Sequence, residues 1–565
     1  MKSKICSSEY VRTVSRGKSW IPAFLSLGFF LAFPVALLLV VGNWKAARYT
    51  PDQLHLLYEG LWKEKLVFTG GAITIVAAIM NSINGFSYVY SRKKVDFYHS
   101  LPVKRSRMFW NRVYTGLLYY LVPYMIMEFF AVCIGAAKGF FSLKLMELAA
   151  RLLLVHLLLY FLFYFSIVLV FCVTGNFLMG VLCLAGMQLY GPALGILMSF
   201  CAYGFFDTFS SNYPYGIFKA LEDYASPITL TAAFWQKYEA GQGAALAAVL
   251  FVLTLIFTAV SYFAYIHRPS EAAGKPMVYG KLAAVIKFMV VVPCGMGTGF
   301  VFYLIPTSHA RNIWCVFGMI LGTVLAHGMI EALYQMDFHA FFFKKVQLLA
   351  AAVLVTVCAL IYQKDLLNFD AYIPRQEDIK ALNLDMMTLS GDMTDYVKEQ
   401  EDGTFSIEDS TSWEKRENAF SGKDGIGEET YEILQKIVEN QENRKFRYGG
   451  EQTEEGTFRR LQLGYQLRSG REVKRSYVIN TEECGELLYN LYKEENLKNK
   501  TEQFLASDTA YLDNISFISG NGRGYDIFQD HPEKQKKLIE AVKTDIQEAA
   551  PEDLLALPFA ELHIS

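Results

Sequence analysis

AALAAVLFVLTLIFTAVSYFAY, residues 244–265, is a 22-residue run without one charged side chain. A helix rises about 1.5 Å per residue, so about 20 such residues match a hydrocarbon core of about 30 Å. Eight other stretches read the same way: approximately 20–41, 66–88, 113–136, 152–173, 177–203, 283–304, 313–336 and 346–361. The fold class expected is an α-helical polytopic membrane protein of about nine transmembrane helices, followed by an α+β soluble domain. The first span should remain as an anchor, because its apolar run exceeds that of a cleavable signal peptide.

Charge divides the chain near residue 363. Residues 1–362 carry 28 Lys+Arg against 14 Asp+Glu, and residues 363–565 carry 25 against 41. Cytoplasmic loops retain positive charge. With the N-terminus inside, the inner segments hold 17 Lys+Arg and the outer loops 10. This orientation puts the acidic C-terminal domain outside the cell membrane. Of the nine cysteines only Cys484 falls in that domain, so no internal disulfide can staple it and it must rely on an ordinary core.

Chemistry is sparse. No G-x-x-x-x-G-K-[ST], H-E-x-x-H, C-x-x-C or G-x-S-x-G string occurs. The expectation is therefore no enzyme, no catalytic residue, no metal and no cofactor held by this chain. Ionisable groups within spans are the functional candidates by default. His327 and Glu331 sit four apart and share a helix face, and Lys287 lies at a similar depth on the preceding span, so a Lys287–Glu331 ion pair is expected. Glu128, with Asn81 and Asn84, reads as a set of interhelical hydrogen-bonding groups.

The loop between spans two and three, Lys93-Lys94-Val95-Asp96-Phe97-Tyr98-His99-Ser100-Leu101-Pro102-Val103-Lys104-Arg105, combines cations with an apolar knob of Phe97, Tyr98 and Leu101. Leu101 precedes a proline and should be extended, while Pro102 suits the start of the next helix. An aromatic belt with snorkelling cations explains this composition; so does a docking knob for a soluble partner. Residues 1–19 read as a basic flank or a short surface helix. The external stretch 205–243 is too apolar for a floppy loop and suits short interfacial helices.

In the C-terminal domain, 461–467 and 473–479 alternate as half-buried strands. A three-residue loop, Ser469-Gly470-Arg471, would place Leu463 opposite Tyr477 and Leu461 opposite Ile479. Helices are expected over 431–440, from 482 after Thr481, and over 533–548. Residues 378–427 are polar and weakly patterned.

The string Asp96-Phe97-Tyr98-His99-Ser100-Leu101-Pro102-Val103-Lys104-Arg105, continuing into Arg107-Met108-Phe109-Trp110, resembles the cytoplasmic loop of bacterial ABC transporter permeases of the type-two exporter class. Arg268-Pro269-Ser270-Glu271-Ala272-Ala273-Gly274-Lys275 is similar to a second signature of that group, and His327-Gly328-Met329-Ile330-Glu331-Ala332 to a third. The resemblance implies a six-span permease core over 1–268, three further spans over 269–362 and an extracytoplasmic domain over 363–565. It implies that Asp96, Phe97, Tyr98, His99, Ser100, Leu101, Pro102, Lys104 and Arg105 form a coupling element for a separately encoded ATPase. The implied partners are an ATPase dimer, which supplies ATP and magnesium, a second permease subunit, identical or paralogous, and the lipid bilayer; no nucleic acid is expected. The function implied is export or membrane extraction of an amphipathic substrate such as a peptide or lipid. The competing reading is an envelope-stress or antimicrobial-peptide sensor that signals through the same ATPase.

Overall fold

The computed structural model describes residues 19–43, 51–209, 216–306, 310–386, 395–399, 405–409, 426–439, 458–480, 515–519, 524–526, 532–548 and 560–564. Among them nine helices are long and apolar enough to cross a membrane: Trp20–Gly42, Gln53–Tyr90, Arg105–Ala137, Leu143–Val173, Phe177–Phe205, Ala244–His267, Gly280–Leu304, Arg311–Gln335 and Lys345–Gln363. Their order and number match the apolar runs, because run length is written locally in the chain. Residues 1–18 of the basic flank or short surface helix, and the helix expected after Thr481, lie outside the described residues.

The chain divides into two compact units, residues 1–198 with 218–357, and residues 199–217 with 358–565. In the first, Leu143–Val173 is the most buried span. Ser142 caps its start by accepting from the Leu145 amide. It packs against Lys65–Phe86 and Ala244–His267. An aromatic core fills the bundle, in which Tyr120 and Tyr160 stack with centroids 4.2 Å apart and Phe29 and Phe33 meet Tyr124 edge-on. The first helix carries a π-helical turn, Leu31–Val35, around Pro34. The helices Gly280–Leu304 and Arg311–Gln335 form a tight hairpin, and Gly318 and Gly322 face the backbone at Thr298 and Cys294 where no Cβ would fit. The apolar stretch after the fifth span holds the short helices Ile217–Tyr224 and Pro227–Glu239, as its composition suggested.

The second unit contains the strands β1 (Ile379–Met386), β2 (Asp395–Glu399), β3 (Phe405–Asp409), β4 (Phe458–Leu467), β5 (Glu472–Asn480), β6 (Ile515–Ser519), β7 (Gly524–Asp526) and β8 (Ala560–Ile564). They form antiparallel sheets of order β1-β4-β5, β2-β3 and β7-β6-β8. Strands therefore occupy part of the weakly patterned stretch 378–427. The helix Glu428–Glu439 begins three residues before its expected start and buries Leu434, Ile437 and Val438 against Leu461, Leu463, Tyr465 and Tyr477. Pro532–Glu548 lies where the third helix was expected.

The β4–β5 register differs from the sequence reading by two residues: Leu461 faces Tyr477, and Leu463 faces Arg475. The loop has three residues, but they are 468–470. Gly470, at φ 79°, supplies the left-handed position that follows a Gly470 N to Leu467 O turn of 2.9 Å. A glycine placed centrally in the loop could not serve there. A two-residue slip keeps every side chain on its own face, so the core survives the error.

Candidate functional site

Ser91 is extended, and the helix Arg92–Ser100 follows it for nine residues. It stops because Leu101 precedes Pro102 and adopts φ −68°, ψ 140°. Val103 N donates to Leu101 O at 2.7 Å, a tight turn around Pro102. The next helix opens at Arg105 with Lys104 as its extended cap, not at Pro102 as the proline suggested. Pro102 is spent on the turn.

The inward face of this short helix is fixed at several points. Val95 is buried. Tyr98 meets the Tyr88 ring edge-on at 5.0 Å, and the buried Arg112 guanidinium lies over both rings, 3.8 Å from Tyr88 and 4.6 Å from Tyr98. Arg112 also donates to Gly85 O, and the Tyr88 and Tyr265 hydroxyls are 2.5 Å apart. Tyr98, Leu101 and Val103 pack around Met108. Two of the three residues expected to form an exposed knob are thus partly engaged within the chain.

The segment after the sixth span holds the helix from beside. His99 Nδ1 lies 2.9 Å from Ser270 Oγ. Arg105 donates to Ile266 O, Arg268 O and Ser270 Oγ at 3.2, 2.8 and 3.1 Å, and Arg92 Nε donates to Ala273 O at 3.1 Å. Arg268, only 6 % exposed, donates to Phe171 O, Cys172 O and Thr174 O at 3.0, 2.7 and 2.7 Å and to Val89 O at 3.2 Å. Those carbonyls include ones that the end of Leu143–Val173 leaves without helical partners. Backbone bonds from Gly274 N to Gly175 O and from Val278 N to Val173 O complete the seam. One guanidinium therefore ties the ends of spans two, four and six together beneath the helix. Burial holds the His99 imidazole below its ordinary pKa, and the neighbouring Arg105 cation lowers it further.

Outward, Lys93, Asp96, Phe97 and Ser100 share a face at helical spacing, with Lys94, Pro102, Lys104 and Arg107 exposed around them. Phe97 is 53 % exposed. The result is a stiff, basic platform with one projecting aromatic ring.

Among the intramembrane groups, Lys287 and Glu331 do pair, Nζ to Oε2 at 2.5 Å, with both side chains buried. Sequence reasoning missed two further members: Lys344, 2.8 Å from Glu331 Oε1, and Gln347, whose Oε1 accepts from Lys287 at 3.1 Å. Their signal was a lysine three residues before a glutamine at the start of the ninth span. His327, on the same face as Glu331, bonds Phe343 O through Nε2 at 3.0 Å. Glu128 and Asn81 are buried, yet Glu128 Oε1 and both amide atoms of Asn81 have no hydrogen-bond partner among the described residues. Other interhelical bonds of this region belong to residues the sequence reading passed over. Tyr124 OH lies 2.9 Å from His156 Nδ1, His156 Nε2 lies 3.0 Å from Val67 O, and Thr74 meets Tyr120 at 3.3 Å.

A domain family described as a domain of unknown function (DUF6449) matches residues 465–556, a segment that begins in β4 and runs past Pro532–Glu548. No curated protein and no solved structure matches the chain.

Proposed function

We propose that this chain is the membrane-spanning subunit of a bacterial ATP-binding cassette transporter, with the helix Arg92–Ser100 as the seat of a separate ATPase. The observation that carries the reading is the exposed Phe97 ring on a basic helix held from within by Arg112 on Tyr98 and from beside by the His99–Ser270 and Arg92–Ala273 bonds. A coupling element must pass motion without bending. A helix seated on Tyr88 and on the segment after span six, which Arg268 ties to the ends of spans two and four, meets that mechanical requirement. An exposed aromatic ring ringed by cations also fits the anatomy of a docking hot spot, where one desolvated aromatic contributes most of the binding free energy. Tyr98 and Leu101 act in this reading as positioning residues beneath Phe97, and Lys93, Lys94, Lys104 and Arg107 as a charged rim.

The N-terminus and the Arg92–Ser100 helix are cytoplasmic, and the α+β domain beyond the ninth span is extracytoplasmic, as the loop charges favour. The substrate class is amphipathic, exported or extracted from the membrane by a pair of permease subunits. The test is affinity purification in mild detergent with identification of co-purifying chains, comparing wild type with Phe97→Ala. An ATPase recovered with wild type and reduced at least about tenfold with Phe97→Ala is expected, the loss of one hot-spot aromatic. Equal recovery, or no ATPase in either sample, would overturn the assignment.

A further inference from the structure

The junction around Asp370 has no part in the docking helix, yet hydrogen bonds and stacked rings converge on it. All of its members belong to the second compact unit. Asp370 Oδ2 accepts from the Asp207 amide at 3.0 Å, and Oδ1 accepts from the Thr208 amide and hydroxyl, both at 2.9 Å. These donors lie just past the end of the helix Phe177–Phe205. The Phe206 ring stacks on Phe369 at 4.5 Å and on Tyr362 at 5.3 Å.

The sheet joins the same point. Thr208 O accepts from Ser476 N at 2.8 Å, so the outer edge of β5 has captured the chain that leaves the fifth span. Arg475, 3 % exposed, lays its guanidinium 3.7 Å from the Phe369 ring centre and donates to Phe369 O at 3.3 Å and Lys474 O at 2.9 Å. The stem that carries Phe369 and Asp370 is itself braced. The Asp365 carboxylate accepts from both of their amides, at 2.7 and 2.9 Å. Asp365 and Asn368 hold left-handed conformations, φ 44° and 50°, which Asp and Asn adopt more readily than other non-glycine residues.

A domain merely tethered to the last span would need none of this. A linker alone would leave the sheet free to tumble, and the end of the fifth helix would solvate its own amides. We propose that Asp207–Thr208, Phe369–Asp370 and Arg475–Ser476 form a clasp that makes the C-terminal sheet a lever on the fifth span, so that a load on the sheet regulates transport. The regulatory half of this inference rests on the transporter reading above; the mechanical half does not. Arg475 and Asp370 are positioning residues in this scheme, since neither faces a bound substrate.

The test uses the full chain in lipid nanodiscs, as wild type, Asp370→Asn, Arg475→Ala and Arg475→Lys, read by hydrogen–deuterium exchange. Asp370→Asn keeps the side-chain shape and removes one acceptor, which guards against simple misfolding of the Arg475 variants. Asp370→Asn and Arg475→Ala should raise exchange at the Asp207, Thr208 and Ser476 amides together, by about tenfold, with the Lys287–Glu331 hairpin unchanged and Arg475→Lys intermediate. A rise at Ser476 with Asp207 and Thr208 unchanged would show two independent parts and overturn the clasp. In the co-purified ATPase complex, Asp370→Asn should shift basal ATP hydrolysis by at least about threefold while ATPase recovery stays at the wild-type level, the change expected when a coupling free energy is lost. Hydrolysis unchanged despite raised exchange would overturn the regulatory role. Absence of any ATPase from the wild-type sample would overturn the transporter reading and the regulatory role with it, and the exchange result would still decide the clasp.

Discussion

Replacing Arg268 by methionine removes the guanidinium that gathers four backbone carbonyls under the helix Arg92–Ser100. Hydrogen bonds between membrane helices average about 0.6 kcal/mol and reach about 1.7, so four of them bracket the loss between about 2 and 7 kcal/mol. The upper half of that range is expected, because the donor is charged and the acceptors stay buried when it leaves. Arg268→Lys should recover only part of it, since a single ammonium cannot span acceptors on both sides of a planar fork. Thermal melting in nanodiscs reads the global loss, and hydrogen exchange at Gly175, Gly274 and Val278 reads the seam, whose amides bond across to Pro276, Gly175 and Val173. The methionine variant should melt well below wild type and exchange faster at all three amides. If both measurements match wild type, the guanidinium is no better there than water, and the helix is not seated by it.

Glu331→Gln should destabilise by about 3–5 kcal/mol in the same melting assay, because it leaves Lys287 buried beside a neutral amide; Lys287→Met with Glu331→Leu should regain most of that loss. An equal loss in the double variant would argue that packing, not charge, is at stake. The depressed pKa of His99 sets a direction with pH. Its contribution to stability is full above the ordinary histidine value of about 6.5 and falls away as pH drops toward the lowered folded value, because the unfolded chain binds the proton first. Protection of the Arg92–Ser100 amides, taken relative to the intrinsic exchange rate at each pH, should therefore fall below about pH 6.5 in wild type and stay flat in His99→Gln. Gly175→Ala would drive a Cβ into the carbonyl oxygens of Lys275 and Ala272, both backbone atoms, and should lower the melting point and loosen the helix Arg92–Ser100. A normal melting point for that variant would show that the seam can open without loss.

The helical body was legible because a spanning helix announces itself by length, and apolar length adds up along the chain with no reference to what lies beside it. The same holds for the alternation in β4 and β5, and for Lys287 and Glu331, whose equal depth follows from counting residues. The hairpin register was misread because one glycine conformation, at Gly470, moves the loop by a residue and the pairing by two. Tyr98 and Phe97 are neighbours in sequence and alike in composition; only the rotation of their helix turns one onto Tyr88 and Arg112 and leaves the other exposed. Arg268 opened a signature string with no bonding partner assigned to it, and its acceptors lie as far as 97 and 179 residues away. Sequence by itself determined how much of this protein is apolar enough for a membrane, in what order, and with which side of the sheet inward. Tertiary structure alone decided which groups meet, since the partners of a buried arginine, an aspartate clasp or an aromatic ring depend on how every neighbouring helix is rotated, and no single segment encodes that rotation.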